Sequence, residues 1–146
     1  MAIHRTEEIN RTKAINRTEA VATFKRLFVN GPLDAWPRPG RDLDLLLALA
    51  AARIGRGSGY RERDLNERLK PWLAGFCGPH GPDHVTVRRF LVDMGFLVRD
   101  TAGSSYAAGA RSPGEIHEAA AFDIEPAQLL TELVEARAQR KRERAA

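Results

Sequence analysis

The segment from Tyr60 to Ala108 constrains the fold of this chain more than any other stretch. It holds a short charged segment with helical spacing, a loop rich in glycine and proline, a second helical segment, and two apolar runs around Gly103. This order predicts helix, loop, helix and β-hairpin, which is how a winged helix-turn-helix is built. In that module the second helix enters the major groove of DNA and the hairpin lies along the backbone. We therefore expect a mainly α fold with a small β-hairpin, winged helix-turn-helix-like in arrangement.

Hydrophobic periodicity, capping residues and glycine or proline breakers predict the remaining elements. We expect Thr18 to cap the first helix, Asp83 to cap the helix that begins at His84, and Pro71 to close the helix that begins at Arg61. The predicted helices span residues 19–29, 42–54, 61–70, 84–94 and 126–144, and the predicted hairpin spans 96–108.

The chain divides into four predicted parts. The first twenty residues contain a hexapeptide repeat (IHRTEE, INRTKA, INRTEA) whose period fits neither a helix nor a heptad. Residues 1–18 are therefore predicted to form a flexible or partly helical arm, either a disordered leader or a nucleic-acid contact. Residues 19–109 form the winged-helix-like domain and residues 110–125 a linker. Residues 126–146 form a C-terminal helix with a basic tail, and its Leu129/Leu133 stripe predicts homodimerisation or docking.

Length and composition exclude several classes of protein. A chain of 146 residues with 43% hydrophobic content suits one domain with a modest core. The longest apolar run is far shorter than the roughly 18 residues of a membrane span, and the polar N-terminus lacks the apolar centre of a secretory signal. Cys77 is the single cysteine, so an intrachain disulfide is excluded. We expect a cytoplasmic protein.

The charge distribution argues against purely electrostatic DNA binding. The net charge of +4 divides into +3 for residues 1–30, +2 for 31–109, −5 for 110–136 and +4 for 137–146. The basic excess therefore lies at the two ends, and the winged module is close to neutral, whereas strong DNA binders are usually more basic there.

The helix predicted from His84 supplies the main candidate contacts with DNA. Its core face is formed by apolar side chains at positions i, i+3, i+4 and i+7, which are Val87, Phe90, Leu91 and Met94. The outer face and flanks carry side chains of the types that can hydrogen-bond base edges. The predicted nucleic-acid-binding residues are Thr86, Arg88, Arg89, the hairpin's Arg99, and the tail residues Arg140, Lys141 and Arg142. The alternative for Arg89 is a local ion pair with Asp93, four residues along the helix. Apolar Val85 and Val92 on the flanks favour packing of another element.

Metal binding and catalysis find little support in the sequence. Cys77, His80 and His84 have the spacing of half a zinc site, but no fourth ligand with suitable spacing accompanies them, so we expect no metal and no cofactor. The sequence contains no nucleophile elbow, phosphate loop or His-Glu-x-x-His motif, and we expect no enzyme.

Several stretches between Phe24 and Ala108 share the residues of one bacterial family. They are Phe28-Val-Asn-Gly-Pro-Leu, the Leu-rich helix after Arg41, Tyr60-x-Glu62 with Asn66-x-x-Leu69, and Asp83 followed by Val87-Arg88-Arg89-x-Leu91-Val92-Asp93-x-Gly95-x-Leu97-x-Arg99, then Gly103 and Tyr106. In these residues the chain resembles domain of unknown function 2087, which occurs alone or attached to helix-turn-helix domains in transcriptional regulators. Arg61 and Ala107 depart from the family pattern, which tends to have a small helix-capping hydroxyl at the first position and commonly a second aromatic at the other. The resemblance implies a regulatory winged-helix-like module; it does not imply any particular activity.

Two hypotheses follow from the sequence. The first is a transcription-regulatory winged-helix-like protein that binds DNA as a dimer. The second is a protein-interaction or ligand-sensing module that does not bind DNA. The face of the helix that begins at His84 distinguishes them, because a continuous positive face favours DNA and a mixed or covered face favours the interaction module.

Overall fold

The computed structural model describes residues 14–116 and 119–146 and shows a mainly helical fold with one small hairpin. The elements in chain order are α1 (Arg17–Leu27), α2 (Arg41–Ile54), α3 (Glu62–Ala74), α4 (His84–Asp93), β1 (Leu97–Arg99), β2 (Tyr106–Ala108), two 3₁₀ turns (Pro113–Glu115 and Ala119–Asp123) and α5 (Pro126–Ala145). No helix in these ranges is long and apolar enough to cross a membrane.

The winged-helix-like arrangement predicted from the sequence is confirmed. β1 and β2 pair antiparallel with Val98 opposite Ala107, and Gly103 takes a φ of 73° in the turn between them, a conformation that suits glycine. Tyr60, just before α3, forms an antiparallel bridge with Tyr106 on the outer side of β2. The hairpin therefore gains a third extended segment, and α3 and α4 lie between that segment and β1 in the chain.

A single hydrophobic cluster holds the elements together. α2 lies at its centre, because its residues from Leu45 to Ala51 are all buried, as its almost continuous apolar run predicts. Aromatic rings extend the cluster towards α1 and α3, where Phe76 makes an edge contact with Trp72 at a centroid distance of 5.0 Å and a second one with Phe28 at 6.2 Å. The core is thus shared by helices that are far apart in the chain.

The first helix begins earlier than the sequence predicts. Asn16, and not Thr18, is the N-cap, since its side chain accepts a hydrogen bond from the Glu19 backbone N–H at 2.9 Å. Ile15 is 2% exposed and its N–H donates to the Ile116 carbonyl at 2.6 Å. The last copy of the hexapeptide therefore belongs to the fold, so the boundary predicted at residue 18 is too late. Residues 1–13 of the predicted arm lie outside the described residues.

Pro71 does not close α3, which continues to Ala74. A proline inside a helix removes one backbone hydrogen bond and costs about 3 kcal/mol. The extra turn buries Trp72 and Leu73, and burying a large apolar side chain contributes about 1.5–3 kcal/mol. Packing of these two side chains offsets the cost, which local propensity alone does not reveal.

Described residues on both sides of the gap in the segment predicted as a linker, 110–125, pack against the core. Pro113, Ala121 and Ile124 are buried, and the segment leads directly into α5, whose Leu130 joins the same cluster. Leu129 and Leu133 of the predicted stripe are partly buried against this cluster as well. The first turns of α5 therefore belong to the same folded unit as α1–α4.

Candidate nucleic-acid interface

α4 is fixed by its cap and by its core face. The Asp83 carboxylate accepts a hydrogen bond from the Thr86 N–H at 2.9 Å, and this bond is the main reason why the pKa of Asp83 lies below its usual range. Val87 and Leu91 are fully buried, so the opposite side of the helix faces outward. Asp83 is thus confirmed as the cap, and α4 presents the outer face that the sequence predicts.

A cleft of about 240 Å³ lies between the outer face of α4, the start of α3 and the hairpin. Its lining residues are Glu62, Val85, Arg88, Arg89, Val92, Asp93, Arg99 and Tyr106. The cleft therefore brings together three of the predicted DNA contacts. Arg88 and Arg89 come from α4, and Arg99 comes from the hairpin. Two carboxylates line the same cleft, so its charge is mixed and not uniformly positive.

Arg88 is a structural link between α4 and α3. Its guanidinium donates to the Asn66 side-chain oxygen at 2.6 Å and lies 2.5 Å from a Glu62 carboxylate oxygen. The Arg88 side chain is only 13% exposed, whereas that of Glu62 is 59% exposed. Each of the two terminal guanidinium nitrogens is held by one partner, so Arg88 is poorly placed to form a bidentate hydrogen bond with a base edge.

Arg89, in contrast, is exposed on the outer face of α4. The i, i+4 spacing to Asp93 suggests an ion pair, but within the described residues Arg89 forms no ion pair with Asp93 or with any other carboxylate. The Arg89 guanidinium is therefore exposed to solvent where α4 lines the cleft. Val85, which lines the same cleft, is 44% exposed.

The hairpin holds Arg99 in a defined position. Its guanidinium donates two hydrogen bonds to the Gly103 carbonyl, at 3.2 and 3.3 Å, and lies over the Tyr106 ring at 5.9 Å. The turn hydroxyls are less available, because those of Ser104 and Ser105 both donate to the Asp100 carboxylate at 3.1 Å. Arg99 is exposed, and its two hydrogen bonds use Nε and one Nη atom, so its guanidinium stays at the hairpin surface.

Two other predicted groups lie outside the cleft. The Thr86 hydroxyl donates to the Asp83 carboxylate at 3.2 Å, so it takes part in the cap of α4. Arg140, Lys141 and Arg142 are exposed near the end of α5, which packs against α1 and contributes no residue to the lining of the cleft. The structure thus brings together the helix and hairpin arginines but not the tail.

The half zinc site is not completed in the described part of the chain, where no group of three or more His, Cys, Asp or Glu residues is arranged to hold a metal. Burial raises the pKa of the Cys77 thiol to about 12, which disfavours the thiolate that a metal requires. The backbone N–H of Cys77 donates to the Leu73 carbonyl, and a bridge to Leu33 ties the same residue to the connector before α2.

A family model described as "uncharacterized protein conserved in bacteria (DUF2087)" matches residues 32–108, more than half of the 146 residues. The chain belongs to this family. No curated protein and no solved structure matches the chain.

The DUF2087 match contains the entire cleft but not the tail. Glu62, Asn66, Arg88, Arg89 and Arg99 all lie within it, whereas α1 and α5 lie outside. Sequence reasoning missed the contacts of Glu62 and Asn66 with Arg88. No local spacing links them to Arg88, which is 22 positions from Asn66.

Proposed function

We propose that this protein is a transcription regulator that binds duplex DNA through its winged-helix module and acts as a dimer. The arrangement that supports the proposal is the pair formed by Arg89 on the outer face of α4 and Arg99 on the wing, which line one cleft. A recognition helix beside a wing is the arrangement by which such modules contact bases and backbone. The proposed role is regulatory and not enzymatic.

The arginines have different proposed roles. Arg89, exposed on α4, contacts a base edge or a phosphate, and Arg99 contacts the backbone beside it. Arg88 holds α4 against α3, and Thr86 sets the start of the helix. The tail residues Arg140, Lys141 and Arg142 add affinity that does not depend on sequence, because they face solvent on a separate helix.

Fluorescence anisotropy with random duplex DNA at low salt tests this proposal. Arg89→Ala and Arg99→Ala should each weaken binding and lower the salt slope by about one unit for each phosphate that the variant no longer neutralises. Arg38→Ala is the matched control, since Arg38 is exposed but does not line the cleft. Replacing Arg140, Lys141 and Arg142 by Gln should weaken binding to all sequences about equally.

The same titration separates the second candidate function, a protein-interaction or ligand-sensing module. The mixed charge of the cleft and the exposure of Val85 favour it, since a DNA-reading face is usually more basic. If the intact chain does not bind duplex at micromolar concentration, where non-specific binding is normally detectable, DNA binding is refuted. The interaction module then becomes the working hypothesis.

A further inference from the structure

The Tyr106 hydroxyl is a buried polar group without a hydrogen-bond partner in the described part of the chain. Tyr106 is only 4% exposed, and it lines the cleft between α4 and the hairpin. The other tyrosine, Tyr60, has such a partner, since its hydroxyl accepts a hydrogen bond from the Gly57 N–H at 3.0 Å. Most buried polar side chains are hydrogen-bonded, and burial without a partner costs free energy. A molecule bound in the cleft can supply the hydrogen bond that the Tyr106 hydroxyl lacks.

Two charged side chains of α4 line the same cleft and are also unpaired. Arg89 and Asp93 are both exposed, and neither side chain forms a hydrogen bond or an ion pair with a described residue. They are four residues apart on α4, so their Cβ atoms are about 5–6 Å apart. Arg88 and Glu62, in contrast, neutralise each other, and Arg99 adds a positive charge whose hydrogen bonds go to a neutral carbonyl. The cleft therefore holds unneutralised positive and negative charges side by side.

Apolar surface and a small volume complete the cleft. Val85 and Val92 are seven residues apart, so they lie on the same side of α4, and both line the cleft. Its volume of about 240 Å³ is below the roughly 300–1,000 Å³ of pockets that hold drug-sized ligands. A ligand that matches this cleft is therefore small, carries one positive and one negative group, and has a short apolar part.

We propose that this cleft binds a free α-amino acid with an apolar side chain, such as leucine. Arg89 binds the carboxylate through a charge-assisted hydrogen bond, with Arg99 beside it, and Asp93 binds the ammonium group. The Tyr106 hydroxyl donates to the same carboxylate, and the alkyl side chain packs against the two valines. A zwitterion satisfies the charges of both signs at once, whereas a phosphate group satisfies only the arginines.

Binding of the amino acid regulates DNA binding in this scheme, a step that rests on the proposed function. Arg89 and Arg99 are the side chains proposed to contact bases and backbone, so a carboxylate held by them takes the place of the duplex. Ligand and DNA therefore compete, and each lowers the affinity for the other by the same factor. The amino acid acts as an effector that releases the regulator from DNA.

Isothermal titration calorimetry of the full chain with L-leucine, in the absence of DNA, tests the site. Three analogues each lack one recognised group: 4-methylpentanoate lacks the ammonium group, 3-methylbutylamine lacks the carboxylate, and glycine lacks the alkyl side chain. Each analogue should bind at least about tenfold more weakly than leucine, because it loses a charge-assisted hydrogen bond or an apolar contact.

Variants of the two tyrosines distinguish a ligand contact from a structural role. Tyr106→Phe should raise the leucine dissociation constant on the order of tenfold without lowering the melting temperature, since its hydroxyl has no protein partner to lose. Tyr60→Phe is the matched control: it removes the hydrogen bond from Gly57, so it should lower the melting temperature and leave leucine affinity unchanged. Asp93→Asn should abolish the preference for leucine over 4-methylpentanoate.

Anisotropy titrations with duplex DNA separate this proposal from the proposed function. Leucine should weaken duplex binding, and the leucine concentration that gives half of this effect should rise on the order of tenfold in Tyr106→Phe. If the chain binds leucine but no duplex, the proposed function fails and the amino-acid site stands. If it binds duplex but no leucine, the amino-acid site fails and the proposed function stands.

Two other results would overturn the amino-acid site. The first is binding of 4-methylpentanoate that is as tight as that of leucine. The second is an effect of Tyr106→Phe on leucine affinity no larger than that of Tyr60→Phe. Leucine binding that leaves the duplex affinity unchanged would overturn the effector role.

Discussion

Replacing Arg88 by alanine should destabilise the fold, whereas replacing Arg89 should not. Arg88 is 13% exposed and its alanine variant lacks the hydrogen bond to Asn66, and a hydrogen bond that involves a charged group contributes about 1.5–3 kcal/mol. The ion pair with Glu62 adds only about 0.2–1 kcal/mol, because Glu62 is largely exposed. We expect the free energy of unfolding to fall by about 2 kcal/mol for Arg88→Ala and by less than about 0.5 kcal/mol for Arg89→Ala.

Chemical unfolding in urea, followed by circular dichroism, measures this difference. With a slope of about 2 kcal/mol per molar, Arg88→Ala should lower the midpoint by about 1 M at an unchanged slope. Arg88→Lys should lie between wild type and alanine, since lysine retains the charge but lacks the fork that reaches both partners. A double-mutant cycle with Asn66→Ala should give a coupling free energy of about 0.5–3 kcal/mol.

Equal midpoints for Arg88→Ala and Arg89→Ala would refute this reasoning. The result also decides how DNA titrations are interpreted. If Arg88 stabilises the fold, its alanine variant weakens binding indirectly, and Arg89 and Arg99 are the informative substitutions. Both must then be compared with wild type at a temperature where every variant is folded.

Three further predictions concern the cap, the thiol and the turn. The contribution of the Asp83 cap to the free energy of unfolding should depend on pH, because the pKa of Asp83 is lowered in the folded state. This contribution should be complete above the usual carboxyl range and be lost as pH falls through the lowered pKa. Asp83→Asn should cap α4 without that dependence, which acid unfolding curves measure. The Cys77 thiol, with its pKa raised to about 12, should react with a disulfide reagent at pH 8 far more slowly in the folded protein than in urea, and equal rates would contradict its burial. Gly103→Ala should cost about 1 kcal/mol in thermal unfolding, because φ is 73° there, and Gly114→Ala, at a glycine without a positive φ, should cost less.

The sequence by itself determined the order and type of the elements around the cleft. Period, caps and breakers act between residues a few positions apart, and these local interactions are visible in the chain. They predicted the amphipathic face of α4 with its Asp83 cap, the hairpin turn at Gly103 and the outward position of Arg89. The Leu-rich run predicted a helix buried on several sides, and α2 is such a helix.

Tertiary packing decided what the local pattern left open. Pro71 remains inside α3 because Trp72 and Leu73 find a place in the core, and Ile15 joins the fold because its N–H meets the Ile116 carbonyl. Arg88 is held by α3 because the crossing of two helices brings it to Glu62 and Asn66, more than 20 positions away. These contacts depend on which surfaces meet in three dimensions, and neither periodicity nor local propensity encodes that information.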